Sequence, residues 1–457
     1  MKAYATAGAT VRSSWGSSVA RSAAEPRWDL AFIGILTYLV IEYTRLPVMF
    51  PILQVLHLGK IAVAISALGL LLSPRFRGGK SSDARGIDIA MVVFLFASFF
   101  SACFARYQQV AWAGFQNTLM WALIYFLIAR IVSNSWRLRV FVFLLLLLNL
   151  KLAQFAIRMY FAERASGLPE SYLSKTGIGT GSTGFFANGE DLGLAMCVVW
   201  PMAGYLLFSE EKKVLRLLLL GSFVGFLLAI IFCGSRGALV GAGVAALAAS
   251  VRSPKKMAAA AMILALLPAV LYVLPGANKE RMRSGWDWEN DQTASHRILL
   301  WKAGVRMFLD HPIIGVGPDN FALTRATYYA DTDPHPTATE AHNTFVQAFT
   351  DLGLLGGGSF LMLLLFFLRL NSRTRKRLLA STTGGTRSFE YCLAACLDLA
   401  LVGFLSSGFF HSSLYYPHLW LLLGLSGGLN TACLQKQLAP AMAMLQDQRR
   451  KLALTAS

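Results

Sequence analysis

Charge is what this sequence has least of. Only 14% of its 457 residues are Asp, Glu, Lys or Arg, where a soluble protein carries about a quarter. Acidic residues are the scarcer kind, 24 against 42 Lys and Arg. That balance excludes an ordinary soluble enzyme. Cysteine is missing from the polar stretches: Cys103, Cys197, Cys233, Cys392, Cys396 and Cys433 all fall inside apolar runs. Neither a disulfide framework nor a CxxC metal site is therefore expected, and inert packing is the reading for all six. No repeat of fixed period runs through the chain. A long polar stretch precedes the first apolar run, which is not the pattern of a cleavable leader.

What the chain does have is apolar sequence, 55% hydrophobic with a mean hydropathy of +0.53. Its apolar runs approach the ~20 residues that cross a bilayer as a helix, so the expected fold is an all-α polytopic membrane protein. Twelve transmembrane spans are expected, at roughly 29–43, 52–72, 87–104, 110–130, 140–161, 192–208, 215–234, 237–251, 257–274, 344–368, 390–409 and 416–434. Residues 1–28 read as a disordered cytoplasmic tail, 29–434 as the transmembrane domain and 435–457 as a second cytoplasmic tail.

The formal charge of +18 could suggest nucleic acid, but its placement argues against that. With the N-terminus inside, the inside segments hold 27 of the 42 Lys and Arg, as the positive-inside rule requires. The topology expected is N-in and C-in, with the long polar segment 275–343 outside the cytoplasm and no nucleic-acid partner. A second outside segment, 162–191, is rich in Gly, Ser and Thr and ends in Asn188-Gly189-Glu190-Asp191. Both a lid and a plain connector fit it.

Chemistry is expected from three places. The first is Ser235-Arg236-Gly237-Ala238, between two hydrophobic helices. An arginine there is costly unless paired or functional. The neighbouring glycines, Gly234 and Gly237, let an anionic ligand approach, and a guanidinium matches phosphate oxygens bidentately. A snorkelling arginine is the plainer alternative.

The second is the segment from Thr293 to Leu309, with Ser295 as a candidate N-cap. Arg297, Trp301, Val305 and Phe308 would then share one helical face. Such a helix suits the membrane surface, with Arg297 aimed either at a lipid-borne substrate or simply at headgroups. The Gly315-Val316-Gly317-Pro318 stretch after it reads as a structural turn.

The third is Glu340-Ala341-His342-Asn343, just before the span with Gly353 and Gly356. His342 could take a proton from an attacking hydroxyl, although a lone histidine is more often a structural hydrogen-bonder. Asp331, Asp333 and His335, with Glu340 and His342, could in principle hold a divalent cation. Their Pro- and Thr-rich setting favours a solvated acidic loop, and no metal is expected.

Taken in order and spacing, three elements resemble the O-antigen ligase and Wzy-type polymerase superfamily. They are Ser235-Arg236-Gly237-Ala238, then Arg297…Trp301 with His311-Pro312-Ile313-Ile314-Gly315-Val316-Gly317, then His342-Asn343-Thr344-Phe345 with Gly353-Leu354-Leu355-Gly356. The resemblance covers about residues 185–370. It implies a bacterial inner-membrane glycosyltransferase with a periplasmic active site and no cofactor. The donor would be an undecaprenyl-diphosphate-linked glycan, and the acceptor a lipid A core or another lipid-linked glycan. It further implies that Arg236 and Arg297 hold the donor diphosphate, and that His342 activates the acceptor hydroxyl for inverting transfer. Ser235, Gly237, Trp301, Glu340 and Asn343 would support them. Small residues around Gly237 and Gly241 could give the polyprenyl tail a groove. The acidic Asn188-Gly189-Glu190-Asp191 departs from the family's pattern. A metal-dependent oligosaccharyltransferase remains an alternative, though Trp286-Asp287-Trp288 is not the Trp-Trp-Asp of that group. A lipid-linked glycan transporter is another, though no inverted repeat supports it.

Overall fold

A computed structural model describes residues 27–44, 50, 52–73, 82–165, 188–253, 255–258, 261, 292–329, 339–380 and 385–455. Among these, no strand occurs, and six helices are long and apolar enough to cross a membrane. In chain order the helices are α1 (Leu30–Thr44), α2 (Ile52–Val55), α3 (Leu58–Leu72), α4 (Arg85–Phe104), α5 (Gln108–Ile131), α6 (Ser135–Ala165) and α7 (Gly189–Leu206). They continue with α8 (Lys213–Phe232), α9 (Arg236–Arg252), α10 (Gln292–Asp310), α11 (Phe321–Tyr329), α12 (Thr344–Ala380), α13 (Phe389–Gly408) and α14 (Pro417–Thr455).

Eleven of the twelve expected spans carry a helix at the expected place; the one at 257–274 lies almost wholly outside the described residues. The second span is broken, because His57 takes a left-handed φ of 45° between α2 and α3. The helix α14 runs on to Thr455, well past the expected end of the last span. The candidate lid lies mostly outside the described residues, as do Asp331, Asp333, His335, Trp286 and Trp288.

Close approach at small residues holds the central helices together, as is usual where lipid leaves no hydrophobic drive between them. A Cβ on Gly403 of α13 would stand 2.6 Å from the Cys197 carbonyl of α7, and one on Gly193 of α7 would stand 2.5 Å from Ala238 of α9. This packing gathers the N-termini of α7 and α9 and the C-terminus of α13 at one end. At the other end Asp398 of α13 binds Arg375 of α12, lies 3.2 Å from Arg252 of α9, and accepts from Asn371 at 3.0 Å.

The helix α12 is broken at Gly353, whose φ is 62°. The chain from His311 to Asp319 docks into the break. Val316 and Gly317 donate to the carbonyls of Thr350 and Asp351 at 3.0 Å each, while Leu354 and Leu355 donate to Pro312 and Ile313 at 2.8 and 3.2 Å. Backbone groups freed by the break thus find partners in the loop, as buried peptide groups must. The two-glycine turn is structural, as expected. A Cβ on Gly315, itself at φ 73°, would collide with the Asp351 carbonyl. Gly315→Ala is expected to destabilise by roughly 2–6 kcal/mol, since strained φ and overpacking each cost about 1–3. A thermal melt of the purified protein checks this; an unchanged midpoint would contradict the docking.

Candidate active site

At the end where α7, α9 and α12 begin and α13 stops, charged side chains converge on one carboxylate. The start of α7 is set by a capping box: Asn188 Oδ1 accepts from the Asp191 N–H at 2.9 Å, and Asp191 Oδ2 accepts from the Asn188 N–H at 3.3 Å. Reciprocal capping of this kind fixes the first turn, and with it Glu190. Arg297 Nη2 lies 2.6 Å from Glu190 Oε1. On the other carboxylate oxygen, His411 Nδ1 stands at 3.3 Å and His342 Nδ1 at 3.6 Å. His411 Nε2 is 2.6 Å from Asp191 Oδ1. The His411 ring is only 6% exposed, whereas His342 and Glu190 are each 32% exposed, at the mouth. Burial alone would disfavour charge on His411, but the hydrogen bonds and charges of Asp191 and Glu190 outweigh it and push its pKa up to about 9.

Arg297 is held by the helix it sits on. Leu300, Ala303 and Met307 of α10 bury against Val316, Phe321 and Ala341, and Trp301 donates to the Ala341 carbonyl at 3.1 Å. This differs from the expected surface helix in two ways. The helix begins at Gln292, so Ser295 lies inside it and is no cap. The expected stripe also splits: Val305 is exposed, while Arg297 meets a protein carboxylate. The apolar residues that seat the helix are offset from those that a lipid-facing stripe would use.

His342 sits two residues ahead of α12 at a left-handed φ of 47°, where a non-glycine residue is uncommon and costs energy. Asn343 caps the helix, its Oδ1 accepting from the N–H groups of Phe345 and Val346 at 2.9 and 3.0 Å. Ser235 likewise caps α9, accepting from Ala238 at 3.1 Å. Two of the five expected supporting residues, Ser235 and Asn343, are thus helix caps. Arg236 opens α9 at this same end, and Gly237 packs on Phe410, where a Cβ would stand 3.1 Å from that side chain. A Cβ on Gly241 would meet the Gly403 carbonyl at 3.0 Å. The two glycines therefore serve helix packing against α13 and the turn after it. Glu340 is exposed at the mouth. Beneath lies Asp319, pushed up to about 7 by burial and by the nearby Glu340 charge.

Reasoning from sequence missed His411 and the role of Glu190. The acidity at Glu190-Asp191 was visible as a departure from pattern. His411 lies in the short connection between α13 and α14, and nothing in the sequence around it singled it out.

Helices of this length and apolarity, crowned at one end by a cluster of ionisable groups, define a multi-pass membrane protein with a polar site at the bundle mouth. Residues 218–361 match the model of the family described as O-antigen ligase, Wzy_C. That match bears out the resemblance read from the sequence and marks a membrane protein of the glycan-transferring ligase and polymerase kind. It takes in Arg236, Arg297 and His342, while Glu190 and His411 lie outside it. No curated protein matches the chain.

Proposed function

We propose that the protein is a membrane glycosyltransferase that moves a glycan from an undecaprenyl-diphosphate carrier to an acceptor hydroxyl at the periplasmic face of the bacterial inner membrane. It would act as an O-antigen ligase or as an O-antigen or exopolysaccharide polymerase. The two differ in the acceptor, a lipid A core or another lipid-linked glycan. The observation that carries the reading is the convergence of Arg297, Glu190, His342 and His411 at one bundle end. Three helix N-termini, those of α7, α9 and α12, open there, and their partial positive charge favours an anion. The basic Arg252, Arg373, Arg375 and Arg377 lie toward the opposite ends of their helices, which supports the site end as the outside.

In this reading Arg236 and Arg297 bind the diphosphate. Glu190 uses part of the Arg297 fork, and a guanidinium has five N–H donors in all. The acceptor oxygen attacks the anomeric carbon from the face opposite the diphosphate, which inverts it. The carbon–oxygen bond to the diphosphate breaks, its electron pair leaving on the diphosphate, and His342 takes the hydroxyl proton. The arginines balance charge on the leaving group where other enzymes use a cation.

A cation-dependent reading rests on one observation: ligand atoms of Glu190, His342 and His411 all lie within 4.8 Å of one another. Against it, Arg297 already places a cation on Glu190, and each His411 nitrogen already faces a carboxylate. Purified protein given a polyprenyl-diphosphate-linked glycan and acceptor is expected to keep full transfer in excess EDTA. Activity abolished by the chelator and restored by Mg²⁺ or Mn²⁺ would make Glu190, His342 and His411 ligands instead.

A further inference from the structure

We propose that His411 is a positioning residue: an imidazolium ion-paired through both ring nitrogens, clamped between Glu190 and Asp191, that aims Glu190 at His342 Nδ1 and so leaves His342 Nε2 to take the acceptor proton. The inference rests on the glycosyltransferase reading above. Geometry carries the charge assignment. A neutral imidazole has one N–H, yet His411 faces a carboxylate oxygen from each nitrogen, at 2.6 and 3.3 Å. Only the doubly protonated ring satisfies both.

The clamp is fixed on every side. Asp191 is held by its capping box with Asn188. The His411 carbonyl accepts from Thr344 Oγ1 at 2.8 Å, two residues from His342. The His411 ring also lies 5.5 Å from the Tyr416 ring. Glu190 is thereby pulled from two directions, by Arg297 on Oε1 and by His411 on Oε2. Without His411, the Arg297 contact alone would set the carboxylate's orientation. With both, Oε2 stays toward His342 Nδ1. A carboxylate on one imidazole nitrogen fixes the tautomer and stabilises the imidazolium that forms when the other nitrogen takes a proton, the logic of nucleophile–base–orienter sites.

The titratable and charged groups around His411 are Glu190 and Asp191 from α7, Glu340 and His342 from the turn before α12, and Arg297 through Glu190, with Arg236 opening the neighbouring α9. The two carboxylates in direct contact keep the clamp charged as pH rises, until it deprotonates near 9.

The test is the pH profile of glycan transfer by purified protein in detergent. Wild-type kcat is expected to fall as pH rises through about 9, where the clamp loses its proton. His411→Gln should lower kcat about 10–100-fold, by analogy with the loss when a group orienting a metal-bound imidazole is removed. Its KM for the donor should barely move, and the alkaline limb should vanish. Asp191→Asn keeps an acceptor for the cap but removes one charge, so its alkaline limb should shift to lower pH. A wild-type kcat and an unmoved alkaline limb in His411→Gln overturn the clamp. If His411→Gln melts early, an unshifted limb in Asp191→Asn overturns it alone. Chelator-sensitive transfer also overturns it, in favour of a cation site. Wild-type protein with no transfer defeats the glycosyltransferase reading itself, whereas active wild type with unmoved variants defeats only the clamp.

Discussion

His342→Gln is expected to slow glycan transfer by about 10²–10⁴-fold, the range for loss of a general base. Glutamine keeps a hydrogen-bonding side chain of similar reach but cannot accept a proton near neutral pH, so the substitution separates chemistry from scaffold. Position 342 makes the separation clean. Its side chain is partly exposed at the mouth, while neighbouring Asn343 and Thr344 supply the helix cap and the ties to the 411–413 turn. The protein should therefore insert and melt as wild type. Donor binding, which the proposed function assigns to the arginines, should survive, so the loss should appear in kcat and not in KM. A base works only when deprotonated, so wild-type transfer should show an acid limb that the Gln variant lacks. His311, exposed where α10 ends, is the control: His311→Gln should leave rate and profile alone. Wild-type turnover with an unchanged profile in His342→Gln would remove His342 from the mechanism, with Glu340 or Glu190 next in line.

The sequence made the helices legible for a simple reason. Solvent transfer of apolar residues is a local property, and a run such as Phe141–Leu148 carries its signal without help from tertiary contacts. Arg236, Arg297 and His342 were legible because polar groups beside long apolar runs are costly and therefore conspicuous. What stayed hidden depends on packing. The register of α10 could not be read because the face that buries is chosen by its neighbours Val316, Phe321 and Ala341, and periodicity alone fits several stripes. Gly237 and Gly241 look alike in sequence whether they open a groove or admit a neighbouring helix; only the place of Phe410 and Gly403 decides. His411 lies 221 residues from Glu190, and nothing local to either announces the other.

Arg297→Ala is expected to cut transfer about 10²–10³-fold, the loss typical when one donor to developing negative charge is removed, and Arg297→Lys to recover little of it. Lysine restores the charge but not the planar fork, and two demands fall on that fork at once. One N–H is committed to Glu190 Oε1 at 2.6 Å, so only a side chain with further, differently directed donors can also take a diphosphate oxygen. An ammonium on a flexible stem meets one demand at the expense of the other. The fold should tolerate either change, because α10 is seated by Leu300, Ala303 and Met307 and tethered through the Trp301 indole. Lys302, exposed on the opposite side of the helix, supplies the comparison: Lys302→Ala should leave transfer within twofold or so, as surface substitutions usually do. Measured with saturating and limiting donor, Arg297→Lys should lose in both kcat and donor affinity, since the guanidinium would touch the diphosphate before and during bond cleavage. Near-normal kinetics in the lysine variant would reduce Arg297 to a partner that holds Glu190, and the diphosphate would then have to rest on Arg236 and the helix N-termini alone.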